Sequence, residues 1–344
     1  MFQNIYKNKK VLITGHVGTK GTWLSLWLHR MGAKVYGISH PPRTEPSHYK
    51  LLNMHSLLNG DIHNDISTIN TITDISPDIV FHLAARAIVA RTFMEPEYTI
   101  QCTVMGATHI LELCRTCPSV KGIVVVTSDK IYSDKNWNWG YRENDEKGGS
   151  DPYSTSKVCV EYISECYRKS FGLNIAVARA GNILSGGDWT EKRLLPDIAR
   201  ATAKNEAVIV HTPNATRPFQ HTLDALHGYL LLGQHILEGK DVNRAWNFGP
   251  DGDMSVLEIL QISKNIWPKV KWEIDNLPTH PHMVYLLKID STESKKLLGW
   301  KPVWNMRQAV EQSIGWYRSY YQDGYISTED NIKQYEEDMK NGKL

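Results

Sequence analysis

The chain has no excess of charge of either sign: 39 lysines and arginines stand against 37 aspartates and glutamates, a formal net charge of +2. That balance removes the electrostatic basis for binding nucleic acid or an anionic membrane. Long apolar runs are also lacking. Met1-Phe-Gln-Asn-Ile-Tyr-Lys-Asn-Lys-Lys10 offers no stretch long enough for a signal peptide and no later run could span a bilayer, so a cytoplasmic protein is expected. Cysteine is scarce, and the five, at positions 102, 114, 117, 159 and 166, fit reduced thiols in that compartment. Cys114-Arg-Thr-Cys117 has zinc or redox spacing, but no second pair completes a site, so no metal is expected and the pair reads as the end of a helix that begins near Glu97.

What is present alternates. Lys10-Val-Leu-Ile-Thr14, Ala33-Lys-Val-Tyr-Gly-Ile38, Asp78-Ile-Val-Phe-His-Leu83, Gly122-Ile-Val-Val-Val126 and Asn174-Ile-Ala-Val-Ala-Arg179 read as buried strands, with helical patterns between several of them. Alternation of this kind implies an α/β fold, a doubly wound parallel sheet of Rossmann type with helices on both faces. A length of 344 residues suits one large domain, 1–180, followed by a smaller mixed C-terminal substrate lobe, 181–321, with segments near 217–247 returning to the first. Beyond Tyr321 the chain is polar and poor in core formers, so 322–344 is expected as a loose tail or a surface helix.

Two segments carry chemistry. The first strand runs into Gly15-His-Val-Gly18-Thr-Lys-Gly21 and then a helical pattern, an order in which glycines let backbone amides approach a pyrophosphate at a helix N-terminus. The second strand should end at an acid for the ribose hydroxyls of NAD, but the chain reads Ser39-His-Pro-Pro-Arg43. Arg43 is compatible with a 2′-phosphate, hence NADP, and equally with a solvated loop. Asp61, ending another strand-like stretch, suits the adenine amino group or a loop cap.

Tyr153 and Lys157 in Asp151-Pro-Tyr-Ser-Thr-Ser-Lys157 stand one helical turn apart on one face, so the ammonium can lower the phenol's pKa and make it a proton acceptor for an alcohol losing hydride. Thr127-Ser-Asp-Lys130 follows the fourth apolar run and completes the set, although Asp129 and Lys130 also read as an ordinary ion pair at a strand end.

With these landmarks, and with Trp139-Gly-Tyr-Arg-Glu-Asn-Asp145, Ala178-Arg-Ala-Gly-Asn182, Gly186-Gly-Asp-Trp189 and Asn214-Ala-Thr-Arg-Pro-Phe-Gln-His221, the chain resembles the extended short-chain dehydrogenase/reductases, and within them the nucleotide-sugar 4,6-dehydratases of the CDP-glucose type. The resemblance runs over nearly the whole chain. It implies that NAD takes hydride from C4 of a hexose, that water leaves across C5 and C6, and that the hydride returns at C6. It further implies that Tyr153, Lys157 and Ser128 serve the oxidation, Asp129 is the acid and Lys130 the base of the elimination, Asn182, Arg193, Arg217 and His221 hold the nucleotide end, and two chains form a homodimer. Epimerases of the same fold do not need Asp129 and Lys130.

The chain departs from that pattern in places. Ala84-Ala-Arg-Ala-Ile-Val-Ala90 adds Arg86 and displaces an arginine to Arg91, Thr103 replaces the usual asparagine, and His282-Met283 stands where a glutamate is expected. Several changes fall near the sugar, so another nucleotide, such as GDP, or another hexose is compatible with the sequence.

Overall fold

Short apolar runs rich in valine and isoleucine bury both faces, as strands do when helices cover each side. They form β1 (Lys10–Thr14), β2 (Lys34–Ser39), β3 (Gly60–His63), β4 (Ile79–His82), β5 (Ile123–Val126), β6 (Ile175–Ala180) and β7 (Ala245–Phe248). The computed structural model describes residues 2–63, 72–275 and 288–342, so His282 and Met283 lie outside the described residues. All seven strands are parallel, in the order β7-β6-β5-β4-β1-β2-β3. Side chains alternate: Val11 and Ile13 join the apolar cluster on one face, Leu12 the cluster on the other.

The chain winds outward from β1 to β3, then returns to β4 and winds the other way. This leaves a crevice at the carboxyl edge between β1 and β4, where open parallel sheets bind ligands. Helix α1 (Thr19–Arg30) covers one face with Trp23, Leu24, Trp27 and Leu28, the spacing of an apolar helical stripe. The helix expected from Glu97 begins at Pro96, passes through a π-type turn at Gln101–Met105 and continues as α2 (Gly106–Thr116). Helix α3 (Pro152–Phe171) is bounded by strong signals: Asp151 accepts from the backbone of Tyr153 and Ser154 at 2.9 and 3.0 Å, and Gly172 ends it with φ 70°.

The second lobe is mixed. It contains α4 (Leu194–Ala203), α6 (Val256–Ile266), α7 (Met306–Asp323) and small paired strands such as Ala207–Val210 with Lys271–Ile274. Between α4 and α6, helix α5 (Thr222–Leu237) returns to the large sheet and β7 adds its edge strand.

The C-terminal segment departs from expectation. Residues 328–340 form α8 (Thr328–Lys340), whose Ile332 and Tyr335 are fully buried. Its polar side chains serve as partners for core tryptophans: Trp27 donates to Glu336, Trp304 to Asp338 and Trp316 to Thr328, at 2.8–2.9 Å. A segment with few apolar residues therefore docks by satisfying indole N–H groups that burial would otherwise leave unpaired.

Candidate active site

The end of β5 turns sharply. Ser128 caps a single 3-10 turn, Asp129–Ile131, its hydroxyl accepting from the Lys130 backbone at 3.2 Å and donating to Asp129 Oδ1 at 2.9 Å. This turn swings Asp129 inward, where Gly181 packs beside its Oδ2 at the end of β6. Asp129 is 3% exposed, and its Oδ2 has no hydrogen-bond partner among the described residues. Burial pushes its carboxyl above the usual range, against the hydrogen bond from Ser128 and the charges of Lys130 and Lys20.

Helix α3 presents Tyr153 and Lys157 to the same turn. The partly buried Tyr153 lies within electrostatic reach of Ser128 and Asp129. Its phenol is raised, chiefly by burial, with Ser128 and Arg193 pulling it down. Lys157 is buried and donates to the Val126 carbonyl at 2.9 Å. Burial is the main cause that lowers its ammonium to about 7; Lys20 adds to the fall, and Glu161 and Cys102 oppose it.

The glycine turn after β1 fits a dinucleotide. Gly15 has φ +77°, and a Cβ there would meet the Ala84 amide at 2.9 Å. A Cβ on Gly21 would sit 2.2 Å from the Gly15 carbonyl oxygen, so the turn leading into α1 is too tight for side chains there, the close backbone packing that a dinucleotide turn requires. Gly18 is the exposed residue before that helix. Asp61, on β3, accepts from His16 at 2.7 Å and from the Tyr49 hydroxyl, which ties it to the loop. Ser39 is buried at the end of β2, and Arg43 is exposed on the loop beyond it.

On the lobe side, Arg193 pairs with Asp188 at 3.0 Å and lies within electrostatic reach of Tyr153 and Lys20. Arg217 is partly buried and donates to the Thr216 carbonyl at 2.6 Å; burial lowers its guanidinium, and Asp129 pulls it back up. The Asn182 side chain is exposed, and its carbonyl accepts from Gln220 at 3.0 Å.

His221 does not belong to the cleft. It is fully buried, caps α5 by accepting from the Leu223 backbone at 3.2 Å, and packs its ring against Trp23 and Trp304 at 5.8 and 4.7 Å. Burial lowers it to about 3, so it is a neutral core residue that a substrate cannot reach. Arg86 is likewise drawn aside, paired with Glu95 and stacked over Tyr98, while its backbone donates to Thr103 Oγ1 at 3.1 Å.

Lys20 is the site residue that motif reading passed over. It stands in the first turn of α1, donates to the Tyr229 hydroxyl at 3.4 Å and is lowered to about 8 by burial and Arg193, against Asp129. A cation at the positive end of a helix is electrostatically unfavourable, which was the available signal.

The model of the family described as GDP-mannose 4,6 dehydratase matches residues 12–313. The chain is 37% identical to the CDP-glucose 4,6-dehydratase of Salmonella typhimurium, over 97% of this chain and 98% of that one. Its fold is shared by the dTDP-glucose 4,6-dehydratase of Bacillus anthracis in complex with NAD, with TM-score 0.78, 18% identity and coverage of 90% of this chain and 97% of that one. It is shared equally by the UDP-glucuronic acid 4-epimerase of Bacillus cereus in complex with UDP-glucuronic acid and NAD, with TM-score 0.79, 19% identity and coverage of 92% and 100%.

Proposed function

This chain belongs to the GDP-mannose 4,6 dehydratase family, and from that premise we propose that it is a hydro-lyase that converts CDP-glucose, or a related nucleotide hexose, to the 4-keto-6-deoxy sugar. The observation that carries the reading is Asp129, a buried carboxyl with a raised pKa and an unpartnered oxygen beside Ser128 and Tyr153. Raising a carboxyl in this way favours its protonated form and suits it to give a proton to a leaving hydroxyl.

When bound, NAD supplies the hydride acceptor for C4 and returns the hydride at C6. The glycines Gly15, Gly18 and Gly21 would hold its pyrophosphate, with Ser39 and Asp61 toward the adenosine and Lys157 toward the nicotinamide ribose. Tyr153 takes the 4-hydroxyl proton, and Ser128 orients that oxygen. With C4 a ketone, the C5 proton is acidified; Lys130 removes it and Asp129 protonates the departing C6 hydroxyl, which leaves as water, and Lys130 gives a proton back to C5 as the hydride returns at C6. Arg217 and Arg193 would hold the diphosphate, where a guanidinium fork donates two hydrogen bonds, with Asn182 at the nucleotide end.

Two readings compete. A C4 epimerase shares the fold and the oxidation, and the epimerase likeness favours it; it leaves Asp129 and Lys130 without work. Use of NADP rests on Arg43 alone. No helix among the described residues is long and apolar enough to cross a membrane, and the five cysteines are thiols rather than disulfides, which suits a reducing cytoplasm. Exposed Phe93, Met94, Ile100 and Met105, with Tyr162 on α3, suit a homodimer built on these helices.

The test is incubation with NAD and, separately, CDP-, GDP-, UDP- and dTDP-linked glucose, with products read by NMR. A 6-methyl signal beside a C4 ketone is expected, strongest with CDP-glucose. Inversion at C4 with the 6-hydroxyl retained would replace this reading by the epimerase.

A further inference from the structure

A buried, doubly bonded ion pair lies behind the site and takes no part in the reaction as described. Arg179, 1% exposed on β6, donates from Nε and Nη2 to both oxygens of Glu161 at 2.8 and 2.6 Å. Its Nη1 donates to the Tyr132 hydroxyl at 2.8 Å and to the Glu143 carbonyl at 2.9 Å. Glu161, 3% exposed, also accepts from Thr127 Oγ1 at 2.8 Å. Tyr132 in turn donates to Asn247 on β7 at 2.7 Å.

The bonded residues are neighbours of the reacting ones. Glu161 lies one helical turn beyond Lys157 on α3, Thr127 precedes Ser128, and Tyr132 follows the turn that aims Asp129. Two charges buried this deeply are costly to desolvate and stabilise little in net terms, so stability alone gives a weak reason for them. A planar fork with four of its five N–H groups bonded does fix direction, because few geometries satisfy all these partners together.

We propose that Glu161 and Arg179 are positioning residues that lock α3 to the ends of β5 and β6, setting Tyr153 and Lys157 against Ser128, Asp129 and Lys130. This rests on the dehydratase reading for what is positioned, not for the pair itself. Electrostatics adds to the geometry. Lys157 faces Lys20 from α1, Cys102 from the π-type turn, His82 from β4, the Val126 carbonyl from β5 and Glu161 from its own helix; of the titratable neighbours, Glu161 and Cys102 favour its charged form. Around Glu161 stand Arg179, Lys147 at 3.7 Å and Arg168. Burial disfavours the Arg179 charge, yet the bonds from Glu161 hold it above its ordinary value.

The test uses the full chain with Glu161→Gln combined with Arg179→Met, which removes both charges together, and Arg179→Lys, which keeps the charge without the fork. The Lys157 titration is followed by NMR of ε-13C lysine, assigned with Lys157→Arg, and turnover is followed with NAD and CDP-glucose. In the double variant kcat should fall by roughly tenfold to a hundredfold with KM changed less than about threefold, the scale of a small misplacement. Its Lys157 should titrate at lower pH. Arg179→Lys should lower kcat with the Lys157 titration unmoved. A folded variant of either kind with wild-type kcat, or a double variant whose Lys157 titration stays in place, overturns the proposal. If wild-type protein turns over none of the sugars, the dehydratase reading falls while the Lys157 titration still decides the pair.

Discussion

At the residue scale, the site is a set of ionisable groups whose ordinary behaviour burial has altered. Tyr153→Phe removes the proton acceptor and should cut kcat by about 10²–10⁴ while calorimetry still shows NAD binding. Lys130→Ala should abolish exchange of the C5 hydrogen with deuterated solvent; exchange at the wild-type rate removes Lys130 from the elimination. Lys157 is lowered to about 7, so in the free enzyme its ammonium is present below that pH and lost above it. kcat/KM should therefore fall as pH rises through about 7. Lys20→Met, which removes a neighbouring cation, should move that alkaline limb to higher pH. Tyr153, Lys157 and Asp129 were legible because their spacing in the chain is also their spacing in space: one helical turn, or one strand end. His221 was misread for the opposite reason. The indoles that enclose it, Trp23 and Trp304, come from distant parts of the chain, so no local pattern reveals its burial.

At the element scale, a buried acid adds to the indole bonds that hold the C-terminal helix. Asp224 on α5 accepts from the Val303 backbone at 2.6 Å and from the Tyr335 hydroxyl at 2.8 Å, and burial raises it to about 7. A raised carboxyl contributes stability that is fully present below its unfolded value near 3.8 and is lost as pH rises through about 7. Asp224→Asn should flatten that part of the profile, seen as a Tm difference from wild type that changes steadily between pH 4.5 and 8. Tyr335→Phe deletes a bond to a buried acid and should cost about 1.5–3 kcal/mol, read as a lower Tm with faster proteolysis after Tyr321. The docking of α8 escaped the sequence because much of its interface pairs indoles with carboxylates and a hydroxyl, and hydrophobic patterning carries no trace of such partners. The strands were legible because β-branched runs bounded by glycine and proline leave few alternatives.

At the scale of the whole molecule, a sheet that reverses its winding between β1 and β4 places the glycine turn and the β5 turn at one edge, so oxidation and elimination act on one bound sugar. Met105→Glu with Tyr162→Glu should turn a dimer into monomers by sedimentation, since both side chains are exposed on the proposed interface. The central claim is that one site removes a hydride from C4 and delivers it to C6 while Asp129 expels the hydroxyl between those steps. It is tested most directly with NAD and CDP-glucose carrying deuterium at C4. NMR of the product should show the deuterium in the 6-methyl group beside a C4 ketone. Deuterium retained at C4 of a sugar that keeps its 6-hydroxyl would contradict it.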